Sequence, residues 1–378
     1  MTRVVVVGAG IAGASAAYEL ARKGIDVVVV DDGVPGRATS AGAGIVSPVA
    51  VSPLSAERDA YSFASCVHYL DLIQRFEAEG LTDHSYGVTG GLIVAMDEAE
   101  LAQVDEVVAR ATTLVAEHGT RGAGQPVALD RVELAKRFPL LSLDILGAVW
   151  SPEVARVDGR IIREHLMTLA TRAGATTVDG RGSIVVDGGQ VRAVQTKAGR
   201  IECDTAVLAG GAWSPELAEE LGFALPVYPQ RGQILHVRLP GASELPVVNG
   251  FRGHYLLAFP GDRVVVGATR EEHSGFDTRA TAGGVAQVIA NGRTLVPSLD
   301  QAEWLELRVG LRPASRDGDP FLGQAPGIDG LFVSTGYGPQ GLTLAPYAGS
   351  LVASAIAGED VAFPSSFALG RGTEPALQ

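Results

Sequence analysis

The sequence predicts an α/β protein built on a parallel sheet, with a second domain beside it, and three observations carry that prediction. Val4-Val5-Val6-Val7 is a run of four β-branched residues, the pattern of a strand buried on both faces. Gly8-Ala9-Gly10-Ile11-Ala12-Gly13 follows at once and opens a helical run to Lys23, after which Val27-Val28-Val29-Val30 closes on Asp31. Finally, 378 residues are enough for two domains, and the stretch from 86 to 145 lacks any glycine signature of the first kind.

The glycine turn suits a dinucleotide pyrophosphate. Gly8 permits the tight turn, Gly10 lets the backbone approach the ligand, and Gly13 allows the helix to pack closely on the strand. The first helical turn, with Ile11 and Ala12, offers unpaired N–H groups and a partial positive charge. Asp31, with Asp32 behind it, ends the second strand where a carboxylate can accept hydrogen bonds from an adenosine ribose.

Composition narrows the partners. With 30 basic against 43 acidic residues the chain carries −13, which argues against nucleic acid. Two cysteines, Cys66 and Cys203, are too few for a disulfide framework and fit a reducing cytoplasm. The apolar N-terminus is broken by glycines and preceded only by Arg3, unlike a signal peptide, and no apolar run is long enough for a membrane span. The seven histidines are scattered and none has metal-ligand spacing with another His or a Cys, so no metal is expected.

Farther along, Gly36-Arg37-Ala38-Thr39-Ser40-Ala41-Gly42-Ala43-Gly44-Ile45 is rich in small residues and hydroxyls. Taken as structure alone it is a flexible loop. Taken as a site, Thr39 and Ser40 can hydrogen-bond phosphate, and Ala43-Gly44 lets a flat ring lie against the backbone. Residues 57–79 read as a helix, 90–96 as a strand and 98–117 as a helix. Gly159–Arg172 has amphipathic helical spacing, a strand follows at 174–178, and a hairpin turns at Asp187-Gly188-Gly189. Thr205-Ala206-Val207-Leu208-Ala209-Gly210-Gly211-Ala212-Trp213-Ser214 reads as a buried strand ending in a glycine turn, suited to a chain returning to the first sheet. Residues 221–309 are β-rich, with short strands at 233–237, 254–259 and 264–268, completed by a helix at 281–292 and the run 304–309. Glycine turns are expected at Gly310-Leu311-Arg312-Pro313 and Asp317-Gly318-Asp319-Pro320, and a strand at 331–334. Then Gly336-Tyr337-Gly338-Pro339-Gln340-Gly341 leads into an apolar helix over 342–357, and the last eight or so residues read as a frayed tail.

Four of these blocks, in this order, resemble the glycine oxidase and D-amino acid oxidase family of FAD enzymes over nearly the whole chain. They are Gly8–Gly13 with Asp31, the Gly36–Gly44 block, the run from Val207 to Ser214, and Gly310-Leu311-Arg312-Pro313 with 335–346; the second and fourth look closest to glycine oxidase. The resemblance implies a Rossmann-like FAD domain of the glutathione reductase type, assembled from 1–85, 146–220 and 310–370. It also implies an α+β substrate domain, 86–145 with 221–309, built on a large antiparallel sheet. It implies cofactor contacts at Arg37, Thr39, Ser40, Ala43, Gly44, Gly210, Trp213 and Arg312, and at Tyr337, Gly338, Gln340, Gly341, Leu342 and Thr343. The reaction implied is hydride transfer from the α-carbon of glycine, an N-substituted glycine or a D-amino acid to the flavin. The imine then hydrolyses to a 2-oxo acid and an amine, and O2 reoxidises the flavin to give H2O2. An amino acid dehydrogenase serving a quinone or carrier protein is the alternative.

Arg312 is the expected carboxylate ligand, since a guanidinium suits bidentate capture, and Tyr255 matches the family tyrosine that shares this task. No cysteine is near Arg312 in sequence, so FAD is expected to be noncovalent. One departure stands out: glycine oxidases tend to carry an aromatic residue and an arginine where this chain has Gly338 and Pro339. The pocket is therefore expected to be roomier and less positive, favouring an N-substituted glycine over glycine, unless residues 47–60 refill the space. Self-association is left open by the sequence.

Overall fold

The computed structural model describes residues 3–119 and 124–371; the expected C-terminal tail lies outside them from 372 onward. The first strand, Arg3–Val7, lies inside a six-stranded sheet ordered Phe321–Gln324, Leu331–Thr335, Thr205–Leu208, Arg3–Val7, Asp26–Asp31, Thr176–Asp179. All its pairings are parallel except that of the Phe321–Gln324 edge. The valine run explains itself here. Val4 and Val6 face a core shared with the helices Ile11–Arg22, Ala56–Ala78, Gly159–Arg172 and Gly341–Ile356, while Val5 and Val7 face the Ser183–Asp187 and Gln190–Thr196 hairpin. A strand sandwiched this way has no solvated side, so it has no polar alternation.

The larger sheet has eight strands: Glu303–Ser315, Val227–Arg238, Arg263–Gly267, Tyr255–Phe259, Val247–Gly250, Gly91–Ala95, Gly147–Ser151 and Val127–Asp130. Neighbours are antiparallel, apart from the parallel pair Val247–Gly250 and Gly91–Ala95. One face, with Leu256, Ala258, Val264 and Val266, is covered by the helix Ala282–Leu295. The other presents Leu257, Phe259, Val265 and Tyr255 and packs on Ala43 and Ile45, which belong to the dinucleotide side.

Three expectations need correction. Gly310-Leu311-Arg312-Pro313 is not a turn but the middle of the long Glu303–Ser315 strand, where Pro313 pairs opposite Pro229. That strand is the sheet's edge, where a residue lacking N–H is tolerated, and its free side is met by Gly36, whose carbonyl accepts from Leu311 N–H at 2.8 Å. The segment Gly36–Gly44 is not free either, because Ala38–Ala41 forms a 3₁₀ turn in which Ser40 N–H donates to Arg37 O. The expected helix over 98–117 is broken into Glu98–Leu101 and Val104–His118. Two strands also cut across the expected domain segments: Gly147–Ser151 belongs to the larger sheet, and Glu303–Ser315 runs through position 310.

Candidate active site

One cavity of about 630 Å³ is lined from both sheets, within the roughly 300–1,000 Å³ usual for small-molecule sites. On its dinucleotide side stand the carboxyl ends of parallel strands: Val7, Val30 with Asp31, Ala209, and Ser334 with Thr335. That is where ligands bind in open α/β sheets. Gly8, Gly10, Ile11, Ala12, Asp32, Arg37, Thr39, Ala43, Gly44, Gly210 and Trp213 line the same wall. Gly13 does not, and the reason is mechanical. A Cβ there would sit 1.8 Å from Gly8 O, so Gly13 serves the packing of helix on strand. Ser40 is also outside the wall, its carbonyl taken by Arg160 Nε at 3.1 Å.

These residues fit the FAD that the motifs imply. Gly8, at φ +101, has room for no Cβ, which would lie 2.4 Å from Ala209 O. Gly10 supplies no side-chain cap to the helix Ile11–Arg22, and Thr39 Oγ1 accepts only the Ile11 N–H, at 2.9 Å. The remaining first-turn donors and the helix dipole are therefore left for an anion such as the pyrophosphate of a bound FAD. Asp31 receives Arg37 Nη2 on Oδ2 at 2.6 Å, which holds the carboxylate and leaves Oδ1 for the ribose hydroxyl that a bound FAD would offer. Arg37 is thus paired with Asp31 at the cavity wall, which the motif alone did not reveal.

The helix Gly341–Ile356 brings its N-terminus to the cavity through Gly341, Leu342 and Thr343, preceded by Tyr337, Gly338 and Gln340. Pro346 inside this helix has no N–H for the Leu342 carbonyl four residues back, and Tyr69 Oη donates to that carbonyl instead. Arg58, missed in the sequence, lies buried behind the turn; it donates to Gln340 Oε1 and pairs with Asp319 Oδ1 at 3.4 Å. Burial pulls its guanidinium below the ordinary value and pushes the Asp319 carboxyl up, and their attraction opposes both shifts.

The sheet side holds Arg312 and Tyr255 together, as expected. Arg312 Nη1 donates to Thr269 O at 3.0 Å and toward Gln230 Oε1 at 3.4 Å, and its guanidinium bonds with the Tyr255 side chain. Two glycines make room. A Cβ on Gly232 would come 2.5 Å from the Arg312 guanidinium, and one on Gly267, which pairs opposite Tyr255, would come 2.4 Å from the phenol ring. Burial lowers the pKa of Arg312, and the charge of Arg270 adds to the lowering, while Tyr255 opposes it. Burial raises the Tyr255 phenol, so it stays a protonated donor at neutral pH.

Two expectations about the pocket change here. Gly338 does leave open space, with nothing within 4 Å of its Cβ direction. The pocket is not poor in positive charge, however: Arg270 and Arg252 line it with Arg312. Arg270 follows the Arg263–Gly267 strand without any motif, and only sheet register brings it here. Ser47, Val49, Ala50, Val51, Ser52 and Leu54 also line the cavity, so part of the 47–60 segment does enter the space. No cysteine or histidine is among the described lining residues, and burial pushes the Cys203 thiol up to about 11. Among the described residues no cluster of metal-ligating side chains occurs, and no helix is long and apolar enough to cross a membrane.

Similarity to known proteins covers the same architecture. The FAD dependent oxidoreductase family (DAO) matches residues 3–355. The chain is 35% identical over 366 residues to the uncharacterized oxidoreductase YurR of Bacillus subtilis, covering 95% of this chain and 96% of that protein. Glycine oxidase of Geobacillus kaustophilus is 32% identical over 368 residues, covering 95% and 94%. The crystal structure of iminodiacetate oxidase (IdaA) from Chelativorans sp. BNC1 superposes with a TM-score of 0.90 at 38% identity, covering 97% and 98%.

Proposed function

The chain belongs to the DAO family of FAD-dependent oxidoreductases, and on that premise we propose that it oxidises the glycyl carbon–nitrogen bond of N-substituted glycines, with O2 as acceptor. The observation that carries the reading is the Arg312–Tyr255 pair in one cavity with the FAD cradle, beside a Gly338 turn that leaves space open. Bound FAD supplies the acceptor for a hydride from carbon next to nitrogen. The chain's part is to position. Arg312 takes the substrate carboxylate through two donors, Tyr255 donates a further hydrogen bond, and the open turn receives the nitrogen substituent. No histidine is needed as a base if the amine binds neutral. The helix Gly341–Ile356 aims its N-terminus at the cavity, where it favours developing negative charge. The imine formed from the glycyl carbon hydrolyses to glyoxylate and a primary amine, and two electrons pass to O2 to give H2O2. FAD binding is noncovalent in this reading, since neither cysteine lines the cavity.

Support for the N-substituted class comes from iminodiacetate oxidase, named for a substrate of that kind. The test is kcat/KM for glycine, sarcosine, N-ethylglycine and N-propylglycine, with glyoxylate and O2 followed together. The series should rise, each accepted methylene adding about 0.8 kcal/mol of binding, with one O2 consumed per glyoxylate. A flat or falling series with glycine best would overturn the substrate class, and glyoxylate without O2 consumption would overturn the acceptor.

A further inference from the structure

We propose that Arg270 forms a second anion subsite, so that the nitrogen substituent of the preferred substrate ends in an acidic group. This deepens the preceding reading and rests on its carboxylate assignment at Arg312. Three arginines line the substrate side of the cavity, and they differ in what already holds them. Arg252 pairs with Asp97 and with Glu100 Oε1 at 3.0 Å. Arg312 is backed by Thr269 O, Gln230 and Tyr255. Arg270 has neither a hydrogen bond nor an ion pair among the described residues.

The acid next to it in sequence does not serve it. Glu271 is turned the other way, accepting from Arg231 Nε at 2.9 Å, Gln233 Nε2 at 2.8 Å and Thr269 Oγ1 at 2.7 Å. Arg231 and Glu271 also exchange both backbone hydrogen bonds at 3.0 Å, and Arg231 reaches Asp277 Oδ2 at 2.9 Å. The backbone beside Arg270 is thereby fixed, so the side chain projects from a rigid base. Its guanidinium lies over Gly253, where a Cβ would come 2.7 Å from Nη2. The result is two cationic groups facing one cavity, Arg312 and Arg270, near enough that the charge of Arg270 lowers the Arg312 pKa, a shift that Tyr255 and Glu271 oppose. A ligand carrying one carboxylate relieves one of them; a ligand carrying two anionic groups relieves both. The pyrophosphate of a bound FAD would be the other anion in this cavity, but the first turn of Ile11–Arg22, on the dinucleotide side, would hold it.

The experiment uses the FAD-loaded protein and unreactive ligands without nitrogen. Dissociation constants of α,ω-dicarboxylates from malonate to adipate, and of diglycolate, are compared with those of monocarboxylates of matched length by perturbation of the visible flavin bands. In the wild type the best dicarboxylate should bind at least about tenfold tighter than its monocarboxylate partner. Arg270→Gln should bring that ratio to within about twofold, the monocarboxylates losing much less affinity than the dicarboxylates and FAD staying bound, and Arg270→Lys should keep part of it. A dicarboxylate advantage that is absent in the wild type, or that survives in Arg270→Gln, overturns the subsite; so does loss of FAD from Arg270→Gln, which would make Arg270 a cofactor ligand. Arg312→Gln should weaken both ligand classes. If it leaves monocarboxylate binding intact, the failure lies in the carboxylate assignment itself.

Discussion

The two sides of the cavity are built on opposite principles. The dinucleotide side is local: strand, turn and helix are consecutive in Val4–Gly13, and the physics of each glycine concerns neighbours a few residues away, or one parallel strand, as with Gly8 against Ala209 O. The substrate side is assembled from a distance. Gly232, Tyr255, Gly267, Arg270 and Arg312 share no motif and meet only because the eight-stranded sheet sets their register. A dinucleotide has constant chemistry and can be read by a fixed local device, whereas a site that varies its ligand can do so by changing single residues on a stable sheet.

The comparison breaks most visibly at Gly13. A Cβ there meets backbone rather than a flexible side chain, 1.8 Å from Gly8 O. Gly13→Ala should therefore yield colourless or insoluble protein, and a soluble yellow variant with an unchanged visible spectrum would show that the local device is not so strict. On the other side, Arg312→Ala should keep the flavin spectrum but lose about 3–5 kcal/mol of carboxylate binding, hundreds-fold or more in affinity. Arg312→Lys should restore little, because an ammonium cannot reproduce the planar fork; normal binding in the alanine variant refutes the assignment. Gly232→Ala sharpens the point without touching a charged group. Its methyl displaces the Arg312 guanidinium, costing about 1.5–3 kcal/mol of carboxylate affinity with FAD binding unchanged. Unaltered affinity would mean that the arginine has another productive position.

How much was legible in the sequence follows the same division. The cofactor cradle, the helix Gly159–Arg172 and the returning strand at Thr205 were readable because their signals are contiguous. Arg312 and Tyr255 came through family resemblance rather than spacing. Arg270 was missed because it follows a strand end with no pattern around it, and the expectation of a less positive pocket rested on Gly338 and Pro339 alone. Gly310-Leu311-Arg312-Pro313 was misread as a turn because Gly and Pro punctuate chains in isolation; only the edge position of its strand, paired Pro313 to Pro229, shows why both are tolerated there.

The smallest effect lies outside both sides. His236 is buried in the large sheet, Nδ1 3.3 Å from Arg263 Nη1, with Arg308, Glu306 and Asp158 around it. Burial, then the charges of Arg308 and Arg263, lower its pKa to about 3. The unfolded chain, at about 6.5, takes up the proton first, so this group's contribution is whole above that pH and is lost as pH falls toward the folded value, by up to about 1.4 kcal/mol per pH unit. His236→Gln should lose less stability between pH 7 and pH 5 than the wild type in urea unfolding, with equal losses counting against it.

The central claim is that a carboxylate held by Arg312 presents its glycyl carbon to FAD bound on the other side of the same cavity. Anaerobic addition of N-ethylglycine to the purified yellow protein, followed by admission of air, tests this most directly. The account predicts that the two visible flavin bands bleach with one glyoxylate formed per flavin and return in air. A protein that stays yellow with glycine and every N-substituted glycine tried would contradict it.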